Sequence, residues 1–189
     1  FNRVDACTVR IDELFIDLGD AIDGNVFTIA STHENPTFVT AGTGDDEVNV
    51  ETIDGLTTID LETGDDILRV GSDSGSVDPV GSSILDGIAD ELVVSGNAGA
   101  DDLRVYDSGD AASNSGELRA TLVTGFGMAG GVDYSGFETV GLFLGTGNDE
   151  LFVDSTHSGE VLIDTGHEDP QLNQVNHVVS IRSTNRPTV

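Results

Sequence analysis

The chain has 189 residues, of which 35 are Asp or Glu and seven are basic, and its formal net charge is −28. That charge excludes a basic patch for nucleic acid or an anionic membrane, because the phosphate term would be repulsive. Hydrophobic residues make up 37%, enough for one modest core. Abundant Gly, Asp, Val and Thr with one Met and no Lys disfavour a helical bundle, and no apolar run of about 18 residues exists to span a bilayer.

Phe1 stands where a Met would open a chain, with no charged-then-apolar leader. This predicts a processed product or an excised piece of a larger protein. Cys7 is the only cysteine, so no intrachain disulfide can form. A buried or incidental thiol is expected, with pairing to another chain as the alternative.

From Val39 onward a short cassette recurs: Thr43-Gly44-Asp45-Asp46, Thr63-Gly64-Asp65-Asp66, Gly99-Ala100-Asp101-Asp102, and Gly145-Thr146-Gly147-Asn148-Asp149. Apolar residues alternate on both sides of each. Five and three positions before the last glycine stand Val39/Ala41, Ile59/Leu61, Val94/Gly96 and Leu142/Leu144. Four and six positions after it stand Val48/Val50, Leu68/Val70, Leu103/Val105 and Leu151/Val153. Period-two alternation around a Gly-Asp turn predicts strand, turn, strand. Asp46 and Asp66 lie 20 residues apart, one coil of two short strands and two turns, with Asp54-Gly55 at the opposite turn. Repeats of this size are the signature of a solenoid. A weaker copy puts Ile88 in the glycine slot with Leu85, Asp90, Leu92 and Val94 in register. Asp90 and Asp101 are only 11 residues apart, so they are expected at opposite turns. Another copy begins at Gly166, where Pro170 spoils the following strand.

Residues 106–136 break this rhythm, and a hairpin is expected there, with strands near Leu118–Val123 and Gly131–Tyr134. A longer period lies over the short one. Leu18-Gly19 through Ser31-Thr32-His33 resembles Leu144-Gly145 through Ser155-Thr156-His157, with Ile11, Leu14 and Ile16 opposite Phe137, Val140 and Leu142. The whole chain, 1–189, reads as one continuous repeat region. Residues 11–136 form a first unit of about 125 residues and 137–189 part of a second.

Stacked coils lie about 4.8 Å apart, so the Asp two positions after the last glycine of each cassette would stand in file. At an effective dielectric of 20, each neighbouring carboxylate pair costs about 3 kcal/mol. A hard divalent cation reverses that sign. Calcium accepts carboxylate and carbonyl oxygens at flexible geometry, and the turn glycines Gly42, Gly44, Gly64, Gly99, Gly145 and Gly147 can aim backbone carbonyls at it. The expected ligands are Asp46, Asp66, Asp90, Asp101 and Asp149, and the expected cofactor is Ca2+.

Gly42-Thr43-Gly44-Asp45-Asp46-Glu47-Val48 and Gly145-Thr146-Gly147-Asn148-Asp149-Glu150-Leu151 resemble the Gly-x-Gly-x-Asp-x-apolar repeat of RTX-type calcium β-rolls. The Gly-Thr-Gly-Asn-Asp form is also similar to the turn of calcium-dependent ice-binding β-rolls in bacterial surface adhesins. The resemblance implies that the second acidic residue of each turn binds calcium. The longer unit resembles tandem repeats of very large surface proteins of aquatic microbes. Only the cassettes at Gly42 and Gly145 carry both glycines of the pattern.

The remaining constellations point away from catalysis. His33 and His157 occupy matching places in the long unit, which suits structural corners. His157, His167 and His177 are ten residues apart and lack the tight spacing of a zinc site. Carboxylates are everywhere, and Arg69 and Arg104 alternate outward to face solvent or neighbouring acids. No nucleophile triad, phosphate loop or EF-hand loop is present. The expectation is an all-β, parallel β-solenoid with a hairpin-like insertion. Its expected role is a calcium-stabilised extracellular structural module of a surface layer, adhesin stalk or filament, and not an enzyme. Head-to-tail self-association and contact with a glycan or another surface protein are the expected partnerships, without nucleic acid or membrane insertion. A glycan- or ice-binding adhesin module is the alternative, with a polysaccharide-acting enzyme behind it.

Overall fold

The computed structural model describes residues 11–76, 81–166 and 177–182. These residues form fifteen strands in chain order: β1 Leu14–Asp17, β2 Val26–Ile29, β3 Thr37–Thr40, β4 Glu47–Val50, β5 Thr57–Asp60, β6 Ile67–Val70, β7 Leu92–Ser95, β8 Asp102–Tyr106, β9 Ser115–Arg119, β10 Leu122–Gly125, β11 Gly131–Ser135, β12 Thr139–Phe143, β13 Glu150–Val153, β14 Glu160–Asp164 and β15 Val178–Ile181. There is no helix among the described residues, hence none long and apolar enough to cross a membrane.

Up to β8 the chain alternates between two sheets, and every neighbour within a sheet is parallel. This is the expected parallel β-solenoid. Alternation writes the core directly, since side chains of a strand point to opposite faces. Inward residues stack into columns: Ile16, Val39, Ile59, Val94 and Tyr134 in the nine-stranded sheet, facing Phe27, Val48, Leu68, Leu103, Val140 and Val161 in the six-stranded one. From Val39 to Tyr134 and from Val48 to Val140 these side chains are almost wholly removed from water.

The rhythm changes after β8. The chain jumps ahead to β9, then returns through antiparallel β10 to β11, which pairs in parallel with β7. The expected hairpin is therefore a three-stranded meander, because Ala120-Thr121 turns the chain inside the segment read as one strand, Leu118–Val123. Gly116 sits under the Phe126 ring, which a Cβ there would meet at 2.0 Å. The Tyr134 hydroxyl donates to the Arg119 carbonyl at 2.6 Å, closing the meander.

The meander shifts the parity of the coil. β1 lies in the nine-stranded sheet, yet β12, its counterpart in the long unit, lies in the six-stranded one beside β8. The cassette at Gly145 accordingly leads from the six-stranded sheet to the nine-stranded one, the reverse of the first three. Leu142 therefore stacks on Val105 and Ile163 rather than in the column of Val39, Ile59 and Val94.

Candidate metal centre

The first three cassettes turn the chain along one edge of the solenoid, one above another. Backbone bonds continue through the turns: Gly44 N–H donates to Thr63 O at 3.0 Å and Gly64 N–H to Ala98 O at 3.1 Å. The residue two places before the last glycine is left-handed in each, at Gly42 (φ 105°), Glu62 (φ 66°) and Asn97 (φ 69°). Glycine takes that conformation freely, whereas Glu62 is strained there.

The two positions after the last glycine divide the work. The second member, Asp46, Asp66 or Asp101, points inward and accepts from the coil before. Asn25 N–H donates to Asp46 Oδ1, Asp46 N–H to Asp66 Oδ1 at 2.8 Å, and Asp66 N–H to Asp101 Oδ1 at 3.0 Å. Glu138 ends the file, accepting from Asp101 N–H at 2.8 Å. The first member points outward and accepts from the coil after: Asp65 N–H donates to Asp45 Oδ1 at 3.0 Å and Ala100 N–H to Asp65 Oδ1 at 2.9 Å. Each turn is thus clamped in both directions by charge-assisted bonds.

Asp46, Asp66 and Asp101 are at most 2% exposed. In all three, Oδ2 is sealed from solvent and meets no hydrogen-bond donor. Burial drives the Asp66 carboxyl up to about 6, against its bond from Asp46 N–H, with the charges of Asp101, Asp46 and Asp45 adding to the rise. Burial likewise raises Asp101, opposed by Asp66 N–H and helped by Glu138 and Asp65. These are carboxylates whose negative charge is poorly compensated.

The five expected ligands therefore divide. Asp46, Asp66 and Asp101 come together in one file. Asp90 does not join them: Ile88, in the glycine slot, is buried and bridges to Ile53, and this leaves Asp90 exposed before β7, accepting from Glu91 N–H. Asp149 is carried by the reversed cassette to a different edge, where Oδ1 accepts from Asn114 N–H at 2.9 Å and Oδ2 lies 3.6 Å from His177 Nδ1. Asp107 is buried nearby, with Oδ1 accepting from Leu85 N–H, and burial pushes its carboxyl up to about 7 with Asp110 and Asp149 adding. Asp107 and Glu138 were not legible as members of any cassette. The copy beginning at Gly166 runs into residues outside the described ones, as do Cys7 and His167.

A calcium ion needs six to eight oxygens. Among the described residues no three Asp, Glu, His or Cys side chains converge on one point. The unpartnered oxygens of the file are the Oδ2 atoms of Asp46, Asp66 and Asp101, one per coil, and these are the atoms that would hold a cation. Of the turn glycines, Gly64 and Gly99 pack closest in the file: a Cβ would meet Gly44 O at 2.0 Å and Gly64 O at 1.6 Å. Gly42 and Gly44 are set against Gly19 O and Ala21 O at 2.3 and 2.1 Å, and on the other edge Gly145 and Gly147 against Asp110 O and Ala112 O at 1.9 and 1.7 Å.

Elsewhere the charges are spent locally. Arg69 pairs with Glu47 at 2.6 Å and Arg104 with Asp102 at 2.6 Å on the outer face of the six-stranded sheet. A depression of about 310 Å³ beside Phe143 and Leu144 contains one acid, Asp164, which accepts from Gly166 N–H. His33 and His157 sit at turns, within 3.4 Å of Thr37 Oγ1 and Glu138 O respectively. In comparisons with known proteins, no family model, no curated protein and no solved structure matches the chain.

Proposed function

We propose that the chain is a structural module, an acidic β-solenoid serving outside the cell in a surface layer, adhesin stalk or filament. One observation carries this reading: each carboxylate of the file is used to hold one coil to the next. The acids act as mechanical ties along the axis, and the same motif recurs from coil to coil instead of converging on one asymmetric cluster. The net charge of −28 suits a saline or calcium-rich surrounding, where self-repulsion is screened.

Calcium enters as the neutraliser of the file. The unpartnered Oδ2 atoms of Asp46, Asp66 and Asp101 favour it, and these three residues would hold it. When bound, the ion would supply positive charge between coils that are otherwise self-repelling.

Protons and calcium would compete for the same oxygens. Thermal unfolding followed by circular dichroism is therefore expected to show a higher midpoint with millimolar calcium than with chelator at pH 8. The difference should shrink at pH 5, and magnesium should substitute poorly. A midpoint indifferent to calcium at pH 8 would leave the structural module standing and remove the cation from it.

A further inference from the structure

All the exposed large hydrophobic side chains among the described residues lie at the two ends of the solenoid. Ile11, Leu14, Phe15, Ile22 and Val26 are at one end, and Leu162, Val178, Val179 and Ile181 at the other. At the first end the core opens into a hollow of about 360 Å³ lined by Ile11, Leu14, Ile16, Phe27 and Ile29. Among the described residues β1 and β2 are the edge strands there. A parallel edge with bare apolar residues is a template for another chain segment.

The chain contains the same pair of strands twice, and the second time they are covered. β12 repeats β1, with Val140 and Leu142 in the places of Leu14 and Ile16. β13 repeats β2, with Leu151 and Val153 in the places of Phe27 and Ile29. In the second copy all four residues are at most 2% exposed. What covers them is β8 along β12 and β9 along β13. The turn is covered as well, because Thr146 N–H donates to Asp110 O and Asn114 N–H donates to Asp149 Oδ1. Asn25 stands where Asp149 stands. An amide oxygen there accepts the same bond without adding a buried charge.

We infer that the bare edge of β1 and β2 is an interface for a second unit of this same repeat, which lays its β8 and β9 along it. The register transfers from the covered copy. Leu103 of the second unit falls opposite Leu14, Arg104 opposite Phe15, Val105 opposite Ile16, and Leu118 opposite Ile29. Because β1 and β12 lie in different sheets, the second unit enters with its two sheets exchanged, half a turn around the axis. The inference rests on the fold and the internal repeat, and it holds whether or not the acidic file takes a cation.

The test uses the full chain and a version with a second copy of residues 92–136 in place of residues 1–10. Hydrogen exchange is measured on both. In the parent, amides of β1 and β2 should exchange faster than those of β3 and β4. In the extended chain they should slow by at least about tenfold, and Leu103→Asp with Val105→Asp in the appended copy should abolish the slowing. A register check pairs Phe15→Cys with Arg104→Cys of the appended copy, in the extended chain, which no longer carries Cys7. A disulfide should form there, and none with Glu117→Cys of that copy. Protection of β1 and β2 in the parent equal to that of β3 and β4 would show that the chain closes its own edge and would overturn the proposal. So would an extended chain in which their exchange is unchanged, or one that crosslinks equally in both registers.

Discussion

Gly99→Ala is expected to cost at least about 3 kcal/mol, a large part of the roughly 5–15 kcal/mol that holds a domain folded. Two effects add. The backbone at Gly99 has φ 157°, a conformation that L side chains rarely adopt, and an added Cβ would lie 1.6 Å from the Gly64 carbonyl oxygen. That oxygen belongs to the neighbouring coil and is fixed in a stacked turn, so relief requires the coils to part. Parting them breaks Asp66 N–H to Asp101 Oδ1 and Gly64 N–H to Ala98 O together. Gly19→Ala is the control. Its φ of 76° is also left-handed, but nothing lies within 4 Å of the added carbon, so only the conformational cost of about 1 kcal/mol applies. Urea unfolding of the two variants separates close approach from backbone strain. Equal midpoints would mean that the coils are not stacked as tightly as described.

Asp66→Asn is expected to stabilise the protein at pH 8 in chelator, although it alters a fully buried, hydrogen-bonded residue at the centre of the file. The amide keeps an oxygen to accept Asp46 N–H, and it removes a charge that burial and three neighbouring acids oppose. Against this stands the cost of a new buried N–H, since Oδ2 has no partner to inherit. The charge is the larger effect, and the net gain should be about 1–2 kcal/mol, a rise of roughly 2–8 °C in the midpoint. The same variant should lose part of any calcium response while gaining stability without the ion. In an ordinary chelating site the substitution would only lose. Differential scanning calorimetry in chelator and in calcium reads both signs.

The coil was legible in sequence wherever a Gly-Asp turn and alternating apolar residues occurred together. Val48, Leu68 and Leu103 stack as their spacing implied, and Asp46, Asp66 and Asp101 fall in file. The direction of a cassette was not legible. Gly145–Asp149 has the same local pattern as Gly42–Asp46, and local pattern specifies a turn without specifying which sheet the chain is leaving. The meander of β9, β10 and β11 decides that, and its pairings are set by the whole stack. Asp90 lies at the opposite turn, as its 11-residue spacing from Asp101 implied, and so stands outside the file. An apolar residue in the glycine slot is drawn into the core, and the acid two places on is left in water. Glu138 escaped notice because Ser135-Gly136-Phe137-Glu138 is not a cassette, yet its longer side chain reaches Asp101 N–H where an aspartate would be expected. The bonds of the outward acids Asp45 and Asp65 to the following coil emerge only once the coils are stacked.

The central claim is that the file binds coil to coil through one oxygen of each acid while the other oxygen carries an uncompensated charge. Linkage gives its sign. Asp66 in the file is raised to about 6, and Asp107, outside the file on the other edge, to about 7 from about 3.8, so the folded state holds protons that the unfolded state has released. Their contribution is complete below about pH 4 and is lost as pH climbs through about 6–7. Glu47, lowered first by its hydrogen bond to Arg69, works the other way and weakens the fold only below about pH 4.5. The deciding measurement is the unfolding midpoint of the unmodified chain in chelator from pH 4 to pH 8 at constant ionic strength. The account predicts a maximum near about pH 4 and a fall of several degrees, concentrated between about pH 4 and pH 7. A midpoint that is flat or rises across that interval would contradict it.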